Sequence, residues 1–128
     1  MHRLIWAMLG LCSFFASQTA ATAQDCDLTH GELIFKKCAI CHSINDGDTH
    51  ITGPNLNGLL NRPVGKVEGF KFSRQLRKAE DIWTPELLDK FLESPMGMYP
   101  RTSMAFAGLK KEKDRAAVAC YIFGKRSE

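Results

Sequence analysis

What the chain has little of narrows its reading first. After the first twenty-odd residues no apolar run remains, and the one present, from Leu4 to about Ala16, is well short of the roughly 20 residues that cross a bilayer as a helix. No stretch alternates apolar and polar residues at the strand period, and no repeat or low-complexity segment recurs, so a sheet or solenoid architecture has nothing to start from. Nor is there a large surplus of charge of either sign: 17 Lys and Arg stand against 14 Asp and Glu. A nucleic-acid binder would need a basic stripe interleaved with aromatics, and none is present, so no nucleic acid partner is expected.

The short basic start (His2, Arg3), the apolar run and the small-residue stretch ending Ala21-Thr22-Ala23 predict a secretory signal peptide over residues 1–23, cleaved after Ala23. A lipoprotein anchor fits less well, because Leu11 and Asp25 precede Cys12 and Cys26 where a small residue is wanted. Removing residues 1–23 lowers the formal charge from +3 to +2 and leaves one domain over residues 24–128. The expected location is the periplasm.

Residues 27–38 show apolar positions at helical spacing with aspartate near the start, and predict a first helix. A short helix is expected over residues 72–79. A firmer one opens at Thr84-Pro85-Glu86, with Thr84 as cap and Pro85 at the first helical position, and ends at Ser94-Pro95. A last helix is expected over residues 111–123, stopped by Gly124. Between them lie two long irregular stretches, 43–69 and 95–108. The fold class is all-α with long loops, and loops of that length imply something large that organises them.

Cysteine carries the sharpest signal. Cys38-Ala39-Ile40-Cys41-His42 is the Cys-x-x-Cys-His pattern of covalent haem attachment: two thiols three residues apart can add to two vinyl groups of one porphyrin, and the following imidazole meets the iron. A zinc site would need two further ligands, and Cys26 and Cys120 are isolated. A dithiol redox pair would sit between a strand and a helix, which this pattern does not offer. One imidazole leaves the other side of the iron to be filled. Methionine suits electron transfer, and Met96, Met98 and Met104 all precede the last helix, where methionine also serves as core filler. Composition alone does not separate the three.

At this point the chain resembles the class I c-type cytochromes, the family of mitochondrial cytochrome c and bacterial cytochrome c2. The resemblance spans Gly31 to Phe123 and is carried by Gly31-Glu32-Leu33-Ile34-Phe35-Lys36-Lys37-Cys38-Ala39-Ile40-Cys41-His42, by Gly53-Pro54-Asn55-Leu56-Asn57-Gly58-Leu59, by Trp83, and by Pro100-Arg101-Thr102-Ser103-Met104-Ala105-Phe106-Ala107-Gly108-Leu109. It implies the class I cytochrome c fold, three to five helices with long loops wrapped around one covalent haem c. It makes His42 and Met104 the two iron ligands, and Pro54 the carbonyl that orients the His42 ring. Arg62, Trp83 and Thr102 fall at positions facing the haem propionates, and Gly31, Phe35 and Tyr121 at the crossing of first and last helices. Lys37, Lys110 and Lys111 match a docking rim.

The implied function is a soluble monomeric carrier, not an enzyme, shuttling single electrons between redox proteins such as a dehydrogenase, a quinol-oxidising complex, a reaction centre or a terminal oxidase, with transient encounters at membrane complexes. Competing readings are a peroxidase-like haem enzyme, which needs a labile sixth position, and a four-helix gas-binding haem protein, whose attachment motif lies near the C-terminus.

The departures from the family pattern are Phe91, Phe72 and Leu76 at positions with polar side chains, Arg101 for a glycine, and Ser103 and Met96 for lysines. They imply a drier pocket and a docking face with less charge on the loop side, where Met96, Met98 and Tyr99 become available for contact. The two remaining cysteines, Cys26 and Cys120, belong to helices that cross in this fold; a disulfide between them and a buried Cys120 with a free Cys26 both stay open. His30 and His50 are read as surface or loop-bracing residues, not as iron ligands.

Overall fold

A computed structural model describes residues 26–125; the expected signal segment, residues 1–23, lies outside the described residues. Five helices follow one another: α1 (Leu28–Phe35), α2 (Arg74–Lys78), α3 (Pro85–Glu93), α4 (Pro95–Met98) and α5 (Glu112–Gly124). Among the described residues the only strand-like pairing is an isolated antiparallel bridge between Pro63 and Ile82. The fold is all-α, as the patterning requires. Among the same residues no helix is long and apolar enough to cross a membrane.

Each start has a local cause. Asp27 accepts the backbone N–H of His30 at 2.8 Å and caps α1. Thr84 accepts the N–H of Leu87 at 3.2 Å with Pro85 at the first position, which sets the entry of α3. Glu112 and Asp114 place negative charge in the first turn of α5, where the helix dipole favours it. Three boundaries differ from the sequence expectation. The helical bonds of α1 end at Phe35 and the chain continues to residue 41 in turns. Ser94-Pro95 ends α3 and also begins α4, because Pro95 suits a first helical turn. Gly124 is the last residue of α5, not a stop beyond it.

The first and last helices are clamped together. A Cβ on Gly31 would overlap the Ala117 carbonyl oxygen and stand 2.8 Å from Cβ of Tyr121, so only glycine allows this approach. Phe35 packs on Tyr121 with ring centroids 5.4 Å apart, and His30 Nε2 meets Asp114 Oδ1 at 2.8 Å. Cys26 and Cys120 are joined by a disulfide, their Cα atoms 5.7 Å apart. From α5 the buried Arg115 reaches Asp89 of α3, Nε to Oδ1 at 2.7 Å, and donates to the Leu109 carbonyl at 3.0 Å. This ties the chain that follows the second loop to two helices at once.

The first long loop is organised by its own polar side chains. Asn55, buried, donates from Nδ2 to the carbonyls of Asn45 and Asp48 and accepts the N–H of Asn57. His50 accepts the Asn55 N–H at Nδ1 (2.9 Å) and donates from Nε2 to the Glu68 carbonyl (2.8 Å), which braces two distant parts of the loop. Part of what the sequence assigned to a bound group is therefore done by side chain to backbone bonds.

Candidate functional site

Residues from all along the chain converge on one open cavity, with about 1320 Å³ of empty space when the open solvent at its mouth is included. Its lining is dominated by apolar side chains, among them Leu59, Phe72, Leu76, Trp83, Leu88, Phe91 and Ile122. Cys38, Cys41, His42, Pro54, Arg62, Thr102 and Met104 line it too.

The attachment motif is shaped by the turn that continues α1. The N–H groups of Cys41 and His42 both donate to the Cys38 carbonyl, at 3.0 and 2.9 Å, and this curls both thiols and the imidazole toward the cavity. Cys38 and Cys41 are free thiols. Burial pushes the Cys38 thiol up to about 11, against a smaller opposing pull from Lys37, so it stays protonated at neutral pH.

The His42 ring is held on two sides. Its Nδ1–H donates to the Pro54 carbonyl at 2.7 Å, which fixes the tautomer and leaves the lone pair on Nε2. A Cβ on Gly53 would overlap the ring's Cε1 and stand 2.7 Å from Nδ1, so glycine is what lets this backbone press against the imidazole. Burial lowers the His42 pKa, with the Pro54 bond opposing, and so favours the neutral ring that can act as a metal ligand.

Arg62 and Trp83 are set side by side by backbone pairing: the Trp83 N–H donates to the Arg62 carbonyl at 3.0 Å and the Asn61 N–H to the Trp83 carbonyl at 2.9 Å. The Arg62 guanidinium donates to the carbonyls of Asn55 (3.0 Å) and Asn57 (3.2 Å). Burial lowers its pKa from the usual range. Trp83 is buried with its ring edge on Phe91, centroids 5.2 Å apart.

Of the methionines among the described residues, Met104 alone lines the cavity. The Thr102 hydroxyl accepts its backbone N–H at 3.3 Å and turns the chain inward. Met96 is 60 % exposed, and Met98 packs against the core. Of the three residues expected to be available for contact, Met98 and Tyr99 are half-buried against the core: Tyr99 packs on Phe91 and its hydroxyl donates to Oδ2 of the exposed Asp81 at 3.1 Å, which leaves Met96 the most exposed. Phe91, Phe72 and Leu76 all contribute apolar surface to the cavity. Lys37 lies at its edge, Lys110 donates to the Glu93 carbonyl at 2.8 Å, and Lys111 is exposed just before α5.

Sequence reading missed Gly53 as the residue seating the imidazole and Arg115 as the anchor of the second loop. In the sequence Gly53 stands out only as part of the Gly53-Pro54-Asn55 turn and of the family resemblance; Arg115 carries the signal of a lone arginine in an otherwise apolar helix face.

A family model described as Cytochrome c matches residues 28–124. The chain is 38% identical over 122 residues to cytochrome c2 of Blastochloris viridis, covering 95% of this chain and 92% of that protein. It is 45% identical over 98 residues to cytochrome c of Stellaria longipes, covering 75% and 90%. Over 85 residues it is 41% identical to cytochrome c-550 of Ancylobacter novellus, covering 64% and 79%.

Proposed function

The chain belongs to the cytochrome c family, and from that premise we propose that it is a monohaem electron carrier, not an enzyme, with haem c held covalently at Cys38 and Cys41 and its iron ligated by His42 and Met104. The observation that carries this is the gathering of two free thiols, one oriented neutral imidazole and one thioether on a single apolar cavity. Haem c supplies a one-electron iron couple.

The chain's own residues do the rest. Cys38 and Cys41 would hold the porphyrin covalently through thioether bonds to its two vinyl groups. His42 offers Nε2 while Pro54 keeps the proton on Nδ1 and strengthens the donor. Met104 offers a soft sulfur that favours the reduced metal. His42 and Met104 would both hold the iron, which would leave a substrate no access to it and restrict the protein to passing electrons. Leu59, Leu88, Phe91 and Ile122 exclude water, and Arg62, with Trp83 and Thr102, offers donors for the porphyrin's carboxylates. A low dielectric around a buried redox centre also reduces the solvent reorganisation that accompanies each transfer.

Export in residues 1–23 with cleavage after Ala23 would deliver the protein to the periplasm. There the partners are redox proteins: a dehydrogenase, a quinol-oxidising complex, a reaction centre or a terminal oxidase. Lys37, Lys110 and Lys111 form a basic rim toward them.

Mass measurement and a visible spectrum of the processed protein test the reading. One haem of added mass and a methionine–ferric charge-transfer band that vanishes in Met104→Ala are the expected results. Absence of added mass, or free binding of carbon monoxide to the reduced wild type, would overturn it.

A further inference from the structure

Two pairs in the first long loop, Asp46-Gly47 and Asn57-Gly58, set a side-chain carbonyl next to a glycine. Such a pair carries a reaction of its own. The glycine nitrogen, with no side chain beside it to crowd the approach, can attack the side-chain carbonyl carbon of the residue before it and close a five-membered imide. In an unfolded chain the amide of Asn cyclises faster than the acid of Asp, so composition alone points to Asn57.

Packing reverses that order. Asn57 and Gly58 are half-buried, and both reacting groups are tied: the Gly58 N–H donates to the Lys125 carbonyl at 3.0 Å and the Asn57 side-chain amide to the Ile44 carbonyl at 3.2 Å. Asp46 and Gly47 are exposed, and among the described residues no acceptor meets the Gly47 N–H and no donor meets the Asp46 carboxylate. Gly47 has a φ of +74°, as the third residue of a type II turn requires, and nothing lies within 4 Å of where its Cβ would stand. The Asp48 N–H reaches the Asn45 carbonyl, and the Asn45 N–H reaches Asp48 Oδ2, at 3.3 Å each, the long end of the range. Bringing Asp46 Cγ to the Gly47 nitrogen therefore breaks little.

We propose that Asp46 is a site of spontaneous isomerisation to isoaspartate in the folded protein, and that the fold keeps Asn57 from reacting. The Gly47 nitrogen bonds to Asp46 Cγ, and a hydroxyl of the protonated carboxyl leaves with the nitrogen's proton as water. Water then adds back to the imide. Opening at Cγ restores aspartate; opening at the main-chain carbonyl carbon routes the chain through Cβ and Cγ and leaves the α-carboxylate as the side group. No mass is gained, and no oxidant, cofactor or bound group takes part. The misplaced carboxylate is exposed and has the chemistry that an isoaspartyl carboxyl methyltransferase recognises.

The longer main chain has a consequence inside the loop. Asn55 is buried, and its Nδ2 donates to the carbonyls on either side of the turn, Asn45 at 3.0 Å and Asp48 at 2.9 Å. An extra backbone atom between them shifts one acceptor relative to the other and strands a buried amide hydrogen. Asn55 also donates its N–H to His50 and gives its carbonyl to Arg62, so the disturbance reaches a residue of the cavity.

The test holds the folded holoprotein for weeks at physiological temperature and neutral pH, labels it with an isoaspartyl carboxyl methyltransferase and methyl-labelled S-adenosylmethionine, and maps the label by mass spectrometry. Asp46 should take label without change of mass, about tenfold or more above Asn57, whose reaction must wait for local opening and would show as the mass gain from amide to acid. In urea-unfolded protein Asn57 should lead instead. Protein isomerised at Asp46, separated by chromatography, should unfold at a urea midpoint about 0.5–1 M below that of the fresh protein. Asp46→Glu keeps the charge but would have to close a six-membered ring, and should yield no such fraction. An unlabelled Asp46, or label reaching Asn57 first in the folded protein, overturns the assignment. An Asn57 that survives equally in urea overturns the protective role of the fold, and an isomerised fraction with the fresh midpoint overturns the link to Asn55.

Discussion

Cutting the link between Cys26 and Cys120 should cost the fold several kcal/mol while leaving the cavity untouched. The disulfide joins residues 94 apart in sequence, so it closes nearly all of the described chain into one loop. In the chain-entropy treatment a loop of that length restricts the unfolded ensemble by about 4.7 kcal/mol at room temperature, and residual structure in real unfolded chains brings the usual outcome to about 2–4 kcal/mol. Cys26→Ser is the informative variant, because Cys26 is exposed and its replacement opens no void, whereas Cys120 is half-buried in α5. In the native state α1 remains held by the Gly31 approach to Ala117, by Phe35 on Tyr121 and by His30 on Asp114. The loss therefore acts mainly through the unfolded state. Urea unfolding followed by far-ultraviolet circular dichroism should show a midpoint about 1–2 M lower, with a steeper slope because the open chain exposes more surface. The visible spectrum should not move, since neither sulfur lines the cavity. A wild type whose mass shows the link intact, yet whose midpoint drops by less than about 0.3 M in Cys26→Ser, would refute the entropic account.

Four further outcomes follow from the packing and the site. Gly31→Val should destabilise by about 1–3 kcal/mol or more, since its side chain must displace the Ala117 carbonyl or the Tyr121 stem, and the denaturation midpoint reads this directly. Asp89→Ala leaves the buried Arg115 without its carboxylate; because Asp89 is 38% exposed and water can reach the vacated place, the cost should be about 1–3 kcal/mol, less than for a fully enclosed pair. The Tyr99 phenol is pushed up to about 12, first by burial and then by Asp81, so its neutral form is favoured in the folded state. A group raised in this way contributes stability below its unfolded value of about 10 and loses it as pH climbs through about 12, so Tyr99→Phe should flatten the alkaline stability profile in that window and remove a phenolate step near pH 12 from the absorbance titration. Phe91→Tyr would place a hydroxyl in the cavity that holds Met104, and a hydrogen bond to the sulfur should raise the midpoint potential; an unchanged potential in a correctly folded variant counts against methionine ligation.

Where local chemistry decides structure, the sequence was legible. Thr84-Pro85 opens α3 at the residue the cap rule indicates, and the close spacing of Cys38, Cys41 and His42 puts all three on one cavity. The boundaries that differed, at Phe35, Pro95 and Gly124, are those where a turn competes with a helical bond at nearly equal free energy and distant packing breaks the tie.

By itself the sequence determined that the chain is helical, that its thiols and imidazole form one unit, and which family it belongs to, because periodicity, capping and motif spacing act over a few residues. Only the tertiary structure decided that Gly53 seats the His42 ring and that Cys26 meets Cys120, and it sets Met104, which the family resemblance singles out, on the cavity that Met96 and Met98 do not line. Those facts are distances between residues far apart in the chain. They are set by how α1, α3 and α5 pack, and no local pattern encodes a packing that every part of the core fixes together.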